Sequence, residues 1–169
     1  AEKLLVTALK QYIPNAGFLT EEDTVEQAQK EYTWIIDPLD GTSNYVHGLA
    51  PYNVSIALTH NNETILGVVY DPLANEMFTA IKGDKARLNN QVISVSSKDE
   101  LKNGFIGFGI PYEMDNQTAA ILKNTWQHFG HASFRLNGAA AQELCFVACG
   151  RYDAFFHSGL SAWDVAAGA

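Results

Sequence analysis

The chain has 169 residues, 11 Lys and Arg against 19 Asp and Glu for a net charge of -8, and 47% apolar side chains. That apolar share over that length supports a buried core in one domain, or in two lobes, and argues against a disordered chain. The acidic balance lacks the basic face that a nucleic acid needs, no stretch reaches the roughly 20 apolar residues of a membrane span, and the charged start AEKLLVTALKQ is no signal peptide, so a soluble cytoplasmic protein without a membrane partner is expected.

Leu4, Leu5, Ala8, Leu9 and Tyr12 recur at helical spacing and predict a helix over residues 2–12, ended by Pro14-Asn15. Gly17-Phe18-Leu19 is a short strand-like segment that runs straight into Glu21, Glu22 and Asp23. Residues 24–31 are polar and read as a mobile loop. Tyr32 to Ile36, aromatic and β-branched, predicts a buried strand that stops at Asp37-Pro38. Three more strands are predicted over 53–59, 64–70 and 77–81, the first two joined by the polar turn His60-Asn61-Asn62, which makes this half a sheet rich in antiparallel pairs.

Beyond the polar stretch 94–103 the rhythm changes to strand 105–108, helix 116–128, helix 139–149, strand 152–156 and a helix from 162 onward, the mark of an α/β layer. A boundary near residue 100 separates an N-terminal α+β lobe, 1–102, from a C-terminal α/β lobe, 103–169. Cys145 and Cys149, four apart, share one helical face and read as buried thiols. Gly104, Gly107 and Gly109 are in the wrong order for a dinucleotide fingerprint and read as strand packing. His47, His60, His128 and His131 read as solvated or hydrogen-bonded, and Asp153 as a buried structural acid.

The most informative stretch is Trp34 to Asn44, WIIDPLDGTSN. A buried strand delivers Asp37 to its end, and a tight four-residue turn would bring the Cα atoms of Asp37 and Asp40 within about 7 Å, where both carboxylates grip one cation. The Leu39 carbonyl is a third oxygen. Gly41-Thr42-Ser43 supplies hydroxyls and free amides at a helix start, which favour phosphate. Oxygen-only ligands beside an anion-binding helix start describe a magnesium and phosphate site. The competing reading is turn punctuation, for which Asp, Pro and Gly are equally suited. Likewise Asp164, at the start of a helix, serves as dipole compensation if taken alone.

Taken together, DPLDGTSN at 37–44, the Glu21-Glu22 pair after an apolar strand and WDVAAG at 163–168 resemble the inositol monophosphatase family of magnesium-dependent, lithium-sensitive phosphatases. The similarity continues through Gly138-Ala139-Ala140 and Gly150-Arg151-Tyr152-Asp153-Ala154 and covers essentially the whole chain. It implies a layered α-β-α-β-α sugar-phosphatase fold, one that starts before Ala1 with a segment bearing an aspartate paired to Thr42 and continues with strands after Ala169. By the resemblance, Glu21, Asp37, the Leu39 carbonyl, Asp40 and Asp164 hold two or three Mg²⁺. Glu21, Asp37 and Thr42 carry the catalytic work, Thr42 helping to activate the attacking water. Asp40, Gly41 and Thr42 sit at the phosphate, and Gly138, Ala139, Ala140 and His157 at the alcohol half of the substrate. His157 stands where animal members carry a glutamate for inositol hydroxyls, and Thr20 where many members have glycine.

The expected function is hydrolysis of a phosphate monoester of a small polyol or sugar, inositol monophosphate first, by a homodimer. The alternatives are fructose 1,6-bisphosphate, adenosine 3',5'-bisphosphate, or a phosphatase-like module whose role is regulatory binding.

Overall fold

Two sheets organise the chain, and the period-two pattern of their strands decides what each face meets. The computed structural model describes residues 1–111, 116–129 and 131–169. The first sheet follows chain order: β1 (Gly17–Thr20), β2 (Tyr32–Asp40), β3 (Asn53–His60), β4 (Glu63–Asp71), β5 (Glu76–Ile81), β6 (Arg87–Leu88) and β7 (Gln91–Val92). β1 pairs parallel to β2, and every later pair is antiparallel. The second sheet is parallel throughout, with β8 (Phe105–Phe108) between β9 (Ser133–Arg135) and β10 (Ala154–Phe156). The helices among the described residues are α1 (Glu2–Leu9), α2 (Thr42–Val46), α3 (Asn116–Phe129), α4 (Ala140–Ala148) and α5 (Ala162–Val165).

Trp34, Ile36 and Leu58 point to one face of the first sheet and bury against Val6 of α1, with Leu5 and Leu9 at the edge of the cluster. Complete burial of Ile36 is worth about 1.5–3 kcal/mol. The opposite face carries Asp37, Ser55 and Val69, aligned across β2, β3 and β4. There Val69 packs on Ala141 and Cys145 of α4, and the Ser55 hydroxyl donates to the Trp163 carbonyl of α5 at 3.1 Å. On the second sheet Phe105 and Gly107 meet Tyr152 and α4, whereas Phe108 meets Phe134, which stacks on Trp126 of α3. The layers therefore run α1, first sheet, α4 with α5, second sheet, α3, the α-β-α-β-α order expected.

Several boundaries differ from the sequence reading for local reasons. The first helix ends at Leu9, because the amides of Gln11 and Tyr12 turn back to Ala8 and Leu9 in tighter i→i+3 bonds. The last strand starts at Ala154, since the Tyr152 amide is already used by the Phe146 carbonyl. Residues 24–31 have no regular element but are tied down: the Ala28 amide donates to the Phe18 carbonyl, Gln27 grips Thr20, and Val25 joins the α1 core. The short strands β6, β7 and β9 were not foreseen.

The largest difference lies at Asp37-Pro38. The strand does not stop or turn there; β2 continues to Asp40 through a β-bulge, with Asp37 opposite Ser55 and Asp40 opposite Asn53. β1 has ended by then, its Thr20 opposite Ile36, so Pro38 faces no neighbour that needs its missing N–H on that side.

Candidate active site

The bulge solves a parity problem. In a regular strand, residues three apart point to opposite faces, so Asp37 and Asp40 would diverge. One extra residue restores the phase, and both acids project toward α4 and α5, as their partners Ser55 and Asn53 do. Gly41 then reverses the chain at φ 88°, a left-handed conformation suited to glycine, and a Cβ there would sit 2.8 Å from the Pro51 carbonyl oxygen.

These elements open onto a cavity of about 550 Å³ between the sheets. Glu21, Asp37, Leu39, Asp40, Gly41, Thr42, Gly138, Ala139, Ala140, His157 and Asp164 all line it, so the eleven site residues proposed from sequence are brought together. Among the described residues that line it there is no Lys or Arg.

Each acid is held differently. Asp37 is 2% exposed; its Oδ1 accepts the Leu39 N–H at 2.8 Å and its carboxyl is hydrogen-bonded to that of Glu21. Burial, then that contact with Glu21, pushes Asp37 up to about 9, with the charges of Glu21 and Asp40 adding to the rise. Asp40 accepts three donors: Asn53 Nδ2 at 2.7 Å, and the first amides of α4, Ala140 at 3.1 Å and Ala141 at 2.9 Å. Those donors oppose burial only in part, and with the Asp164 charge adding, Asp40 is pushed up to about 6. Asp164 caps its own helix, its Oδ2 accepting the Ser161 N–H at 2.6 Å.

Thr42 donates its hydroxyl proton to the Leu39 carbonyl at 2.9 Å, which leaves the hydroxyl lone pairs for the cavity. The His157 Nδ1 lies 2.7 Å from the Ser158 carbonyl; a carbonyl only accepts, so Nδ1 carries the proton and Nε2 is the free acceptor. The Cδ2 edge of the ring abuts Gly109, where a Cβ would come within 1.7 Å of it, so the residue after β8 must be glycine for His157 to reach the rim.

Three participants were missed in the sequence. Asn44, inside the DPLDGTSN motif, donates to both the Pro51 and Asn137 carbonyls, at 2.7 and 2.6 Å, and so seats α2 against the loop of Gly138. Asn53 braces Asp40. Glu143, 1% exposed, lines the cavity and is pushed up to about 7 by burial, the Asp40 charge adding to it and the Asn137 amide opposing. Asn44 lay in a quoted motif; the other two carried no local signal.

The donor set suits a hard divalent cation: oxygen atoms only, with carboxylates crowded in a cavity whose described lining has no Lys or Arg. Among the described residues no three acidic, His or Cys groups are already closed around one point. That is compatible with magnesium, which keeps several waters and binds through one or two carboxylates at a time.

By its fold and site the chain is a layered α/β protein of two sheets with an acidic cavity between them. The profile of the Inositol monophosphatase family matches residues 1–169, and the chain belongs to that family. It is 43% identical over 169 residues to the "Nus factor SuhB" of Xylella fastidiosa, covering 99% of this chain and 61% of that protein. It is 41% identical over 174 residues to the "Inositol monophosphatase" of Mesembryanthemum crystallinum, covering 99% and 64%. The structure of inositol monophosphatase from Anabaena superimposes with a TM-score of 0.89 at 36% identity, covering 99% of this chain and 67% of that one. The chain thus spans less than two thirds of the length of these curated relatives.

Proposed function

We propose that the protein hydrolyses a phosphate monoester of a small polyol or sugar, with inositol monophosphate as the first candidate, using two or three Mg²⁺. The observation that carries this reading is the acidic cavity, with no Lys or Arg among the described residues that line it, in which burial and mutual repulsion disfavour the charged forms of Asp37 and Asp40 until a cation offsets them. Glu21, Asp37, the Leu39 carbonyl, Asp40 and Asp164 are the groups to hold them. When bound, magnesium supplies the positive charge and the lowered water pKa that phosphoryl transfer requires. The Thr42 hydroxyl, fixed by its bond to Leu39, orients a water, with Glu21 and Asp37 to take its proton. The first amides of α2, which have no acceptor within the helix, face the phosphate. Gly138 to Ala140 and His157 border the alcohol.

Release of phosphate from inositol 1-phosphate by the full-length protein, with and without Mg²⁺, tests the reading. Mg²⁺-dependent release is expected. Absence of release from any polyol or sugar phosphate contradicts it.

A second reading, a regulatory binding module, has one specific support: relatives such as that of Xylella fastidiosa carry the name Nus factor. The retained acids favour catalysis, with or without such a second role. Fructose 1,6-bisphosphate and adenosine 3',5'-bisphosphate remain the rival substrates. We place the enzyme in the cytoplasm as a homodimer; no helix among the described residues is long and apolar enough to cross a membrane.

A further inference from the structure

Glu2, in the first turn of α1, is a carboxylate that lies outside the acidic cavity and is only 1% exposed. Burying a carboxylate is costly unless its lone pairs are filled. One short stretch of chain fills them. Oε2 accepts the Glu22 N–H at 2.9 Å, and Oε1 accepts both the Thr24 N–H at 2.9 Å and the Thr24 hydroxyl at 2.5 Å. The Thr20 hydroxyl is a further donor. Burial alone would raise the Glu2 carboxyl, but these donors outweigh it and hold the group below its usual range. Complementing the helix dipole needs an acid in the first turn, but not one buried against a different segment.

The place these bonds act is the backbone of Glu21. The Glu22 amide belongs to the peptide that follows Glu21, while the N–H of Glu21 itself donates to the Ile36 carbonyl at 3.2 Å. Glu21 is therefore held on both sides, by β2 before it and by α1 after it. Residues 21–24 are otherwise exposed, and Asp23 sits in the left-handed region at φ 50°, so the turn has few other restraints. Thr20 extends the network: its hydroxyl accepts Gln27 Nε2 at 2.9 Å and its amide donates to Gln27 Oε1 at 2.8 Å.

We propose that Glu2 is a positioning residue: by locking onto the Glu22 and Thr24 amides it fixes the backbone from which Glu21 enters the acidic cavity, and so sets that cavity's affinity for a divalent cation. The inference rests on the phosphatase reading above, and the experiment separates the two. Mn²⁺ is titrated calorimetrically into the full-length protein and its variants, with hydrogen exchange followed over residues 20–26. Glu2→Gln, which turns an acceptor into a donor, is expected to weaken Mn²⁺ binding about 10-fold, the lower range for a group that orients a ligand, and to speed exchange in that segment. It should raise the Mg²⁺ concentration needed for half-maximal activity while leaving kcat at saturating Mg²⁺ nearly unchanged. Thr24→Ala, which keeps the amide and drops the hydroxyl, should weaken Mn²⁺ binding in the same direction by less. Val6→Ala loosens the same helix without touching the turn, and should lower Tm but not the affinity.

Wild-type Mn²⁺ affinity in a folded Glu2→Gln protein overturns the proposal, as does an equal loss in Val6→Ala. Should Glu2→Gln not fold, unchanged affinity in Thr24→Ala overturns it. Failure of Glu21→Gln to weaken Mn²⁺ binding overturns the cation-site reading itself.

Discussion

Asp37, buried at the bulged end of β2, and Asp153, half-buried at the entry to β10, are carboxylates that their surroundings drive in opposite directions. The Asp153 side chain, 5% exposed, meets Lys98 Nζ and the Phe105 N–H, each at 2.7 Å, and the Lys98 contact, then the amide, bring it down to about 2. Asp37 meets another carboxyl and one amide, with no cation, and rises to about 9. The difference teaches that depth and partners act together: Asp153 lies less deep and has a cation and an amide beside it, whereas Asp37 is fully buried and faces another carboxyl. Asp153 ties the 94–104 segment to the second sheet; Asp37 has no such partner, and Asp40, although it accepts three donors, still rises to about 6.

The sharpest way to break this comparison is to neutralise each acid in turn. Asp37→Asn should lower kcat by about 100-fold or more, the loss of roughly 3 kcal/mol of charge stabilisation at the transition state, and circular dichroism should show the fold intact. Wild-type kcat in that variant would remove Asp37 from the site. Asp153→Asn should do the reverse. It leaves Lys98 without its partner and should cost about 2 kcal/mol in urea denaturation, as for other hydrogen bonds to charged groups, with Mg²⁺ dependence unchanged. A shift in metal dependence there would mean that the two regions are not independent.

The smallest effect concerns His157. With Nδ1 committed to Ser158, its Nε2 is left to meet a substrate at the rim of the cavity, where a glutamate would place a negative charge instead. The ratio of kcat/KM for a bisphosphorylated sugar over inositol 1-phosphate reads that contact. His157→Glu should lower that ratio several-fold, the range of one altered polar contact. An unmoved ratio would take His157 out of substrate choice.

The sequence pattern reached the site more fully than it reached the fold's detail. Asp37, Asp40, Gly41 and Thr42 are legible because four of the groups fall within six residues of one motif, and Glu21 and Asp164 because each lies in a short signature of its own. The bulge at Pro38 was not legible: Asp-Pro and Asp-Gly signal turns just as well, and only the pairing with β3 decides between a turn and a bulge. Nor were the partners of Asp40, since the amides of Ala140 and Ala141 come from 100 and 101 residues away. The two-residue strands β6 and β7 are too short to show a period. Nothing in the helical spacing of α1 singles out Glu2, although its buried carboxylate holds the turn after Glu21.

The most direct test of the account is thermal unfolding of the full-length protein from pH 5 to 9, with and without Mg²⁺. Asp37, Asp40 and Glu143 all titrate higher in the fold than their ordinary values of 3.8, 3.8 and 4.5, so between about pH 4 and 9 the folded protein holds more protons than the unfolded chain. Metal-free stability must then fall as pH rises through that window. Asp153 works the other way, but its contribution is complete above about pH 4 and does not vary there. The account predicts a Tm that declines from pH 5 to 9 without metal and is restored by Mg²⁺, most strongly at pH 9. A Tm that holds or rises over that range without metal, or that Mg²⁺ leaves unmoved at pH 9, would contradict it.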